Sequence, residues 1–172
     1  MDKLSLDDAF IKARLLAQST SPKATLILDY AVSKGKREYL NLCYGYLRWV
    51  DDVVDDPEIS LLEKNEFINR QKLLIKSFQN NFEEIPSTIE EYFLYYFIEF
   101  TSKNKLKGLV DSVYQMVETI SWDVNRLEKD GLFSQEQLNN YINTQSKSIA
   151  DILYNFVSVA DHHKKNMIIL AF

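Results

Sequence analysis

One cysteine, Cys43, stands in the 172 residues. That count excludes an internal disulfide and a multi-cysteine zinc site. With only 4 glycines and 3 prolines the chain has few turns to spend, which favours long helices over a sandwich or barrel. Basic clusters are lacking too: net charge is −5 with no Lys/Arg block, and a nucleic-acid binder needs a clustered positive footprint. The densest apolar run, Tyr92 to Phe100, is interrupted by Glu99 and is too short to cross a bilayer. The opening Met1–Asp8 is acidic and has no apolar h-region, so it does not read as a secretory signal. Cytoplasm is the default compartment these absences leave.

What the chain does have is apolar and aromatic mass. Hydrophobic residues at 46% against 26% charged fit one folded domain, residues 1–172, with a substantial core. Aromatic content of 13% asks for either a thick core or an aromatic-lined cavity. Helix starts recur as capping boxes: Ser5-x-x-Asp8, Ser60-x-x-Glu63, Ser87-x-x-Glu90 and Ser134-x-x-Gln137, with Ser21-Pro22 as an N-cap followed by proline. Behind them, Leu61 to Phe78, Leu109 to Val124 and Leu138 to Phe156 carry apolar residues at helical spacing. Glu38–Val54 is apolar nearly all round, which predicts a central buried helix. The Tyr92–Phe100 segment is expected as a helix packed in the core, with part of it left for the cavity or a peripheral membrane contact. Loops are expected near Lys34–Lys36, Asp55–Ile59, Asn80–Pro86, Ser102–Lys105 and Lys129–Phe133. The fold class is all-α.

The C-terminal stretch has an N-cap candidate in Asp161, then His162-His163 and the apolar Met167–Phe172 without a C-cap. Two readings stand: these residues are part of a longer chain, or the tail docks back into its own core. The adjacent histidines point in different directions on a helix and make a poor metal pair.

The segment Tyr44 to Asp56 is the most informative. It ends in Asp51, Asp52, Asp55 and Asp56, where the 51/55 and 52/56 pairs at i,i+4 repel by about 0.2–0.5 kcal/mol each. All four face the negative dipole end of a helix closing before Pro57. A solvated helix end with Arg48 as intrahelical salt-bridge partner accounts for this pattern; so does a divalent-cation site. On a helix, Tyr44, Arg48, Asp51/Asp52 and Asp55 form one stripe. Arg48 offers a planar fork to phosphate, and Mg²⁺ prefers one or two carboxylates plus phosphate oxygens. Together they suit a diphosphate with an apolar tail. Cys43 has no adjacent base and reads as a small core residue. Asp123 reads as the i+3 partner of Arg126.

The run Tyr44-Gly-Tyr-Leu-Arg48-Trp-Val-Asp51-Asp52-Val-Val-Asp55 resembles the first aspartate-rich motif of the squalene/phytoene synthase family. A second stretch, Trp122-Asp123-Val-Asn-Arg126 followed by Glu136-Gln-Leu138-Asn-Asn-Tyr141, is similar to the next family block, in the right order. The resemblance implies a trans-isoprenyl diphosphate synthase-like helical bundle with a central cavity. It implies Mg²⁺-dependent head-to-head condensation of two prenyl diphosphates, such as farnesyl or geranylgeranyl diphosphate, with two or three Mg²⁺ ions per site. Whether an NADPH-dependent reduction follows stays open. By position, Asp51 and Asp55 are metal ligands supported by Asp52, Arg48 contacts diphosphate, and Tyr44, Asp123 and Tyr141 line the site.

Three departures accompany the resemblance. The family's second aspartate-rich motif falls beyond Phe172, so the metal site is half built and these residues alone are expected to be inert. Gln145-Ser-Lys147-Ser-Ile-Ala150 stands where Val-Ala-Gly-x-Val-Gly is usual. Ser19-Thr-Ser21 matches the serine-rich phosphate-contacting segment loosely. A head-to-tail prenyl synthase is the same-class alternative, since Gly35-Lys36-Arg37 is similar to its substrate segment, though too close to Asp51. A non-catalytic helical binding or assembly protein on the same fold is the other.

Overall fold

Residues 3–80, 84–106, 108–128 and 132–156 are described by the computed structural model. Among them the regular structure is seven α-helices and no strand, as the capping boxes and apolar spacing predict. They are α1 (Leu6–Thr20), α2 (Pro22–Ala31), α3 (Lys34–Asp55), α4 (Leu61–Gln79), α5 (Ile89–Lys103), α6 (Leu109–Glu128) and α7 (Gln135–Phe156). Ser5 caps α1, its Oγ accepting from the Asp8 amide at 3.1 Å. The Ser60–Glu63 box closes with reciprocal bonds of 3.3 and 3.0 Å, and the Ser134–Gln137 box with 3.2 and 2.8 Å.

Three local expectations are corrected. The cap of α5 is Thr88, which accepts from the Glu91 amide at 3.2 Å, one residue later than the Ser87–Glu90 box. The shift turns Glu91 inward, where Arg70, Ser87 and Gln71 satisfy it. Lys34–Lys36 is helix rather than loop, because the bend at Val32–Ser33 is enough to separate α2 from α3. At the other end of α5 the helix runs on through Lys103, and the turn comes at Asn104–Lys105, with Lys105 at φ 54°.

The central helix is α3, which packs against α1, α2, α4, α5, α6 and α7. Leu40, Asn41, Leu42, Cys43, Gly45, Tyr46, Val50 and Val54 are buried along it, as its nearly all-round apolar pattern predicts. Gly45 is needed for a close crossing: a Cβ there would lie 3.1 Å from the Phe93 ring on α5. The aromatic run of α5 goes into the core, with Phe93 and Phe97 fully buried. Each such side chain contributes roughly 1.5–3 kcal/mol by leaving water. A polar seam crosses this core. Tyr46 donates to Gln71 at 3.3 Å, Gln71 donates to Glu91 at 3.3 Å, and Arg70 grips Glu91 with two bonds of 2.9 and 2.8 Å.

Among the described residues no helix is long and apolar enough to cross a membrane. The expectations for Asp161, His162, His163 and Met167–Phe172 lie outside the described residues, as does most of the Lys129–Phe133 loop.

Candidate ligand cavity

Helices α3, α6 and α7, with one residue of α2, enclose a cavity of about 280 Å³. Each helix contributes a stripe at three- and four-residue spacing, the positions that share a face. From α3 come Leu40, Cys43, Tyr44, Leu47, Arg48 and Asp51; from α6, Met116 and Ile120; from α7, Gln145, Ile149, Ile152 and Leu153; from α2, Leu28. The volume is at the lower end for small-molecule sites.

Polarity is graded along the cavity axis. Asp51 and Arg48 lie on the last turns of α3; Asp123 is one turn beyond Ile120 on α6; Tyr141 is one turn before Gln145 on α7. Arg48 and Asp51 line this polar end, the mouth, with Asp123 and Tyr141 one turn outside the lining. Leu28, Leu40, Ile152 and Leu153 form the far end. One turn past Ile152 on α7, the Phe156 ring lies 6.2 Å from Phe97 and 6.0 Å from Phe100, and Tyr39 stacks on Phe100 at 3.8 Å, an aromatic layer of the core outside the cavity lining. The walls are largely aliphatic. Of the two outcomes left open for the aromatic content, a thick core accounts for most of it.

Arg48 is tethered to both neighbouring carboxylates: Nη1 donates to Asp51 Oδ2 at 3.3 Å, and Nη2 donates to Asp52 Oδ1. Its Nε–H is buried without a hydrogen-bond partner, and so is that of Arg126. Burial pushes the Asp51 carboxyl above its ordinary value, helped by Asp55, Asp52 and Asp123 and opposed by Arg48. Asp55 itself is exposed on the next turn, outside the cavity wall. Tyr141 donates to Asp123 Oδ2 at 3.0 Å, and Arg126 Nη2 reaches Asp123 Oδ1 at 3.5 Å. Burial, followed by the Asp123 charge, the hydrogen bond it accepts and Asp51, pushes the Tyr141 phenol up to about 12, so it stays a donor at neutral pH.

On the α1/α2 side, the Tyr44 hydroxyl lies 2.9 Å from both Thr20 Oγ1 and Ser21 Oγ. Ser21 makes no side-chain bond to its own helix and turns its hydroxyl to Tyr44 instead. The sequence match at Ser19–Ser21 is loose; the fold brings Thr20 and Ser21, rather than Ser19, to the tyrosine.

Of the sequence-chosen residues, three line the cavity and four do not. Tyr44, Arg48 and Asp51 are on its wall; Asp123 and Tyr141 are bonded to each other beside it; Asp52 and Asp55 are outside, acting through Arg48 and through charge. Cys43 is buried on the wall, and burial pushes its thiol up to about 12, which fits an inert side chain. Among the lining residues that sequence reasoning did not assign to the site are Leu28, Leu40, Leu47, Met116, Ile120 and Ile149. The periodicity of α6 marks Met116 and Ile120 as buried, but cannot separate a cavity wall from solid core.

The class this arrangement defines is an all-α protein with an apolar cavity and a mixed-charge mouth. Comparison of the chain with protein-family models, curated proteins and solved structures found no significant match.

Among the described residues no three or more His, Cys, Asp or Glu side chains gather to hold a metal ion. Among the described residues the mouth therefore offers no preformed protein cage. Mg²⁺ binds through one or two carboxylates and takes its other oxygens from phosphate and water. Asp51, crowded by three other carboxylates, fits that donor set, with Asp55 one turn away. The orphaned Nε–H of Arg48, a residue of the cavity wall, fits an anion.

Proposed function

We propose that this chain binds a prenyl diphosphate in the cavity, tail inward, and serves a Mg²⁺-dependent head-to-head prenyltransferase of the squalene/phytoene synthase type. The single observation that carries the reading is the pairing of a largely aliphatic pocket with a polar end holding Arg48, Asp51 and the Tyr44 hydroxyl. An isoprenoid tail needs the first and a diphosphate the second.

Arg48 would hold the diphosphate through the N–H left free beside its bonds to Asp51 and Asp52, and the Tyr44–Ser21 hydroxyl pair would add a donor, the Thr20 proton being given to the Leu16 carbonyl. In the reaction the allylic C–O bond breaks heterolytically and its electron pair leaves on the diphosphate. Arg48, held in place by Asp51 and Asp52, faces that growing charge as a fixed donor. The aliphatic wall excludes water from the allylic cation. Mg²⁺, held by Asp51 and Asp55 with diphosphate oxygens, would supply further neutralisation of the leaving group.

A second reading, a binding protein without catalysis on the same fold, is favoured by the absence of a three-acid cluster among the described residues. Thermal unfolding with Mg²⁺ and a non-hydrolysable prenyl thiodiphosphate tests the shared part: the melting point should rise with both present and with neither alone. No shift sinks both readings. Release of diphosphate from the natural substrate separates enzyme from binder.

A further inference from the structure

Among the described residues Gln145 is the one neutral amide on the cavity wall. It is half-buried, and its side chain makes no hydrogen bond among the described residues. On α7 it lies one turn below Tyr141 and one turn above Ile149, with Tyr44 and Arg48 on the α3 side of the cavity. It therefore marks where the polar mouth ends and the aliphatic wall begins.

A hydrocarbon tail laid against Gln145 would strip water from its NH₂ and C=O and give nothing in return, which is unfavourable. A diphosphate reaching down to it would accept from its NH₂. The head group is favoured at this level, and the tail must start there. From Gln145 to Leu153 the α7 wall advances about 12 Å at ~1.5 Å per residue. The lining ends there on α7, and at Leu40 on α3. An extended carbon chain advances about 1.1–1.2 Å per bond, so a ten-carbon geranyl tail needs roughly 9 Å, a farnesyl tail roughly 14 Å and a geranylgeranyl tail roughly 18 Å.

We infer that Gln145 sets the depth at which the head group rests, and that the cavity selects a ten-carbon prenyl tail over longer ones. The inference rests on the prenyl diphosphate reading above and sharpens it to a chain length. Farnesyl and geranylgeranyl tails have to fold back or leave a terminal isoprene unit outside. Replacing the amide with an aliphatic side chain lets hydrocarbon occupy its level and adds one helical turn, about 5.4 Å, of apolar wall. That is roughly one isoprene unit.

The test is calorimetric titration of the protein, in Mg²⁺, with geranyl, farnesyl and geranylgeranyl thiodiphosphates, and with inorganic diphosphate as the tail-free control. The wild-type chain should bind the geranyl compound about tenfold more tightly than the geranylgeranyl compound. Gln145→Leu should move the optimum to farnesyl, and Gln145→Met provides the same readout should the leucine variant fail to fold. Tightest binding of farnesyl or geranylgeranyl by the wild type, or an unchanged ranking in a folded Gln145 variant, overturns the inference. If inorganic diphosphate binds as well as every prenyl compound, the cavity is not a tail site and the inference is wrong. If nothing binds at all, the diphosphate reading itself fails and takes the chain-length inference with it.

Discussion

Replacing Asp51 with Asn separates binding from stability, and the two should move in opposite directions. In the metal-free protein Asp51 carries three burdens: partial burial, the field of Asp55, Asp52 and Asp123, and a place in the last turn of α3. Removing its charge relieves one i,i+4 repulsion of about 0.2–0.5 kcal/mol with Asp55. It also relieves about 0.3–1 kcal/mol of repulsion from the negative helix end. Against this stands the loss of the 3.3 Å Arg48–Asp51 pair, whose partners are 41% and 44% exposed. At that exposure solvent screening holds the pair to about 0.2–1 kcal/mol, and Arg48 keeps Asp52. The balance is a gain of about 0.5 kcal/mol, which for a chain of this size raises the melting point by about 1–2 °C.

With Mg²⁺ and a prenyl thiodiphosphate at a hundred times its dissociation constant, the wild-type chain should gain about 2.7 kcal/mol, or roughly 5–10 °C. Asp51→Asn should lose that gain. Calorimetric melting in chelator, and again with ligand, reads both arms. A variant less stable than wild type without ligand, yet still stabilised by ligand, would refute the reasoning: Asp51 would then be a structural ion-pair partner and not a strained ligand.

Two further outcomes follow from the buried groups. Arg70→Met leaves the Glu91 carboxylate 1% exposed with Ser87 and Gln71 as its donors; the expected loss at pH 7 is about 2–3 kcal/mol, at or below the low end for a broken buried pair because Arg70 itself reaches solvent. In the wild type burial raises the Glu91 carboxyl but the bonds from Arg70, Ser87 and Gln71 outweigh it, so this group's contribution is present above its unfolded pKa and lost as pH falls through the lower folded value. In the variant burial acts with less opposition, so the deficit measured by urea unfolding should shrink from pH 7 toward pH 4; a deficit constant with pH contradicts it. Cys43, with its thiol near 12, should react with a disulfide reagent at pH 8 roughly a thousandfold more slowly than an unfolded thiol of pKa ~8.5, and prompt labelling of the folded chain would show the wall to be open.

The residues of the mouth were legible where chemistry is local. Tyr44, Arg48 and Asp51 share a stripe because a helix of 3.6 residues per turn puts them there, and the proline after Asp56 ends it. Asp123 and Tyr141 are on different helices, and only the resemblance joined them to the first motif. The structure bonds them at 3.0 Å. The start of α5 was misread by one residue because Ser87 and Thr88 are both competent caps. The choice is made by Arg70, which lies on another helix and draws Glu91 inward.

Composition and periodicity by themselves determined an all-helical chain, the central burial of α3 and the electrostatic strain at its end. These depend on spacing along one strand of sequence and on few competing turns. Only the tertiary structure decided that the apolar faces of α3, α6 and α7 leave a cavity between them, that Gln145 and Cys43 are on its wall, and that Tyr44 meets Thr20 and Ser21 at 2.9 Å. A buried face reads the same in sequence whether it meets another side chain or an empty space. The difference lies in how helices far apart along the chain come to rest against one another.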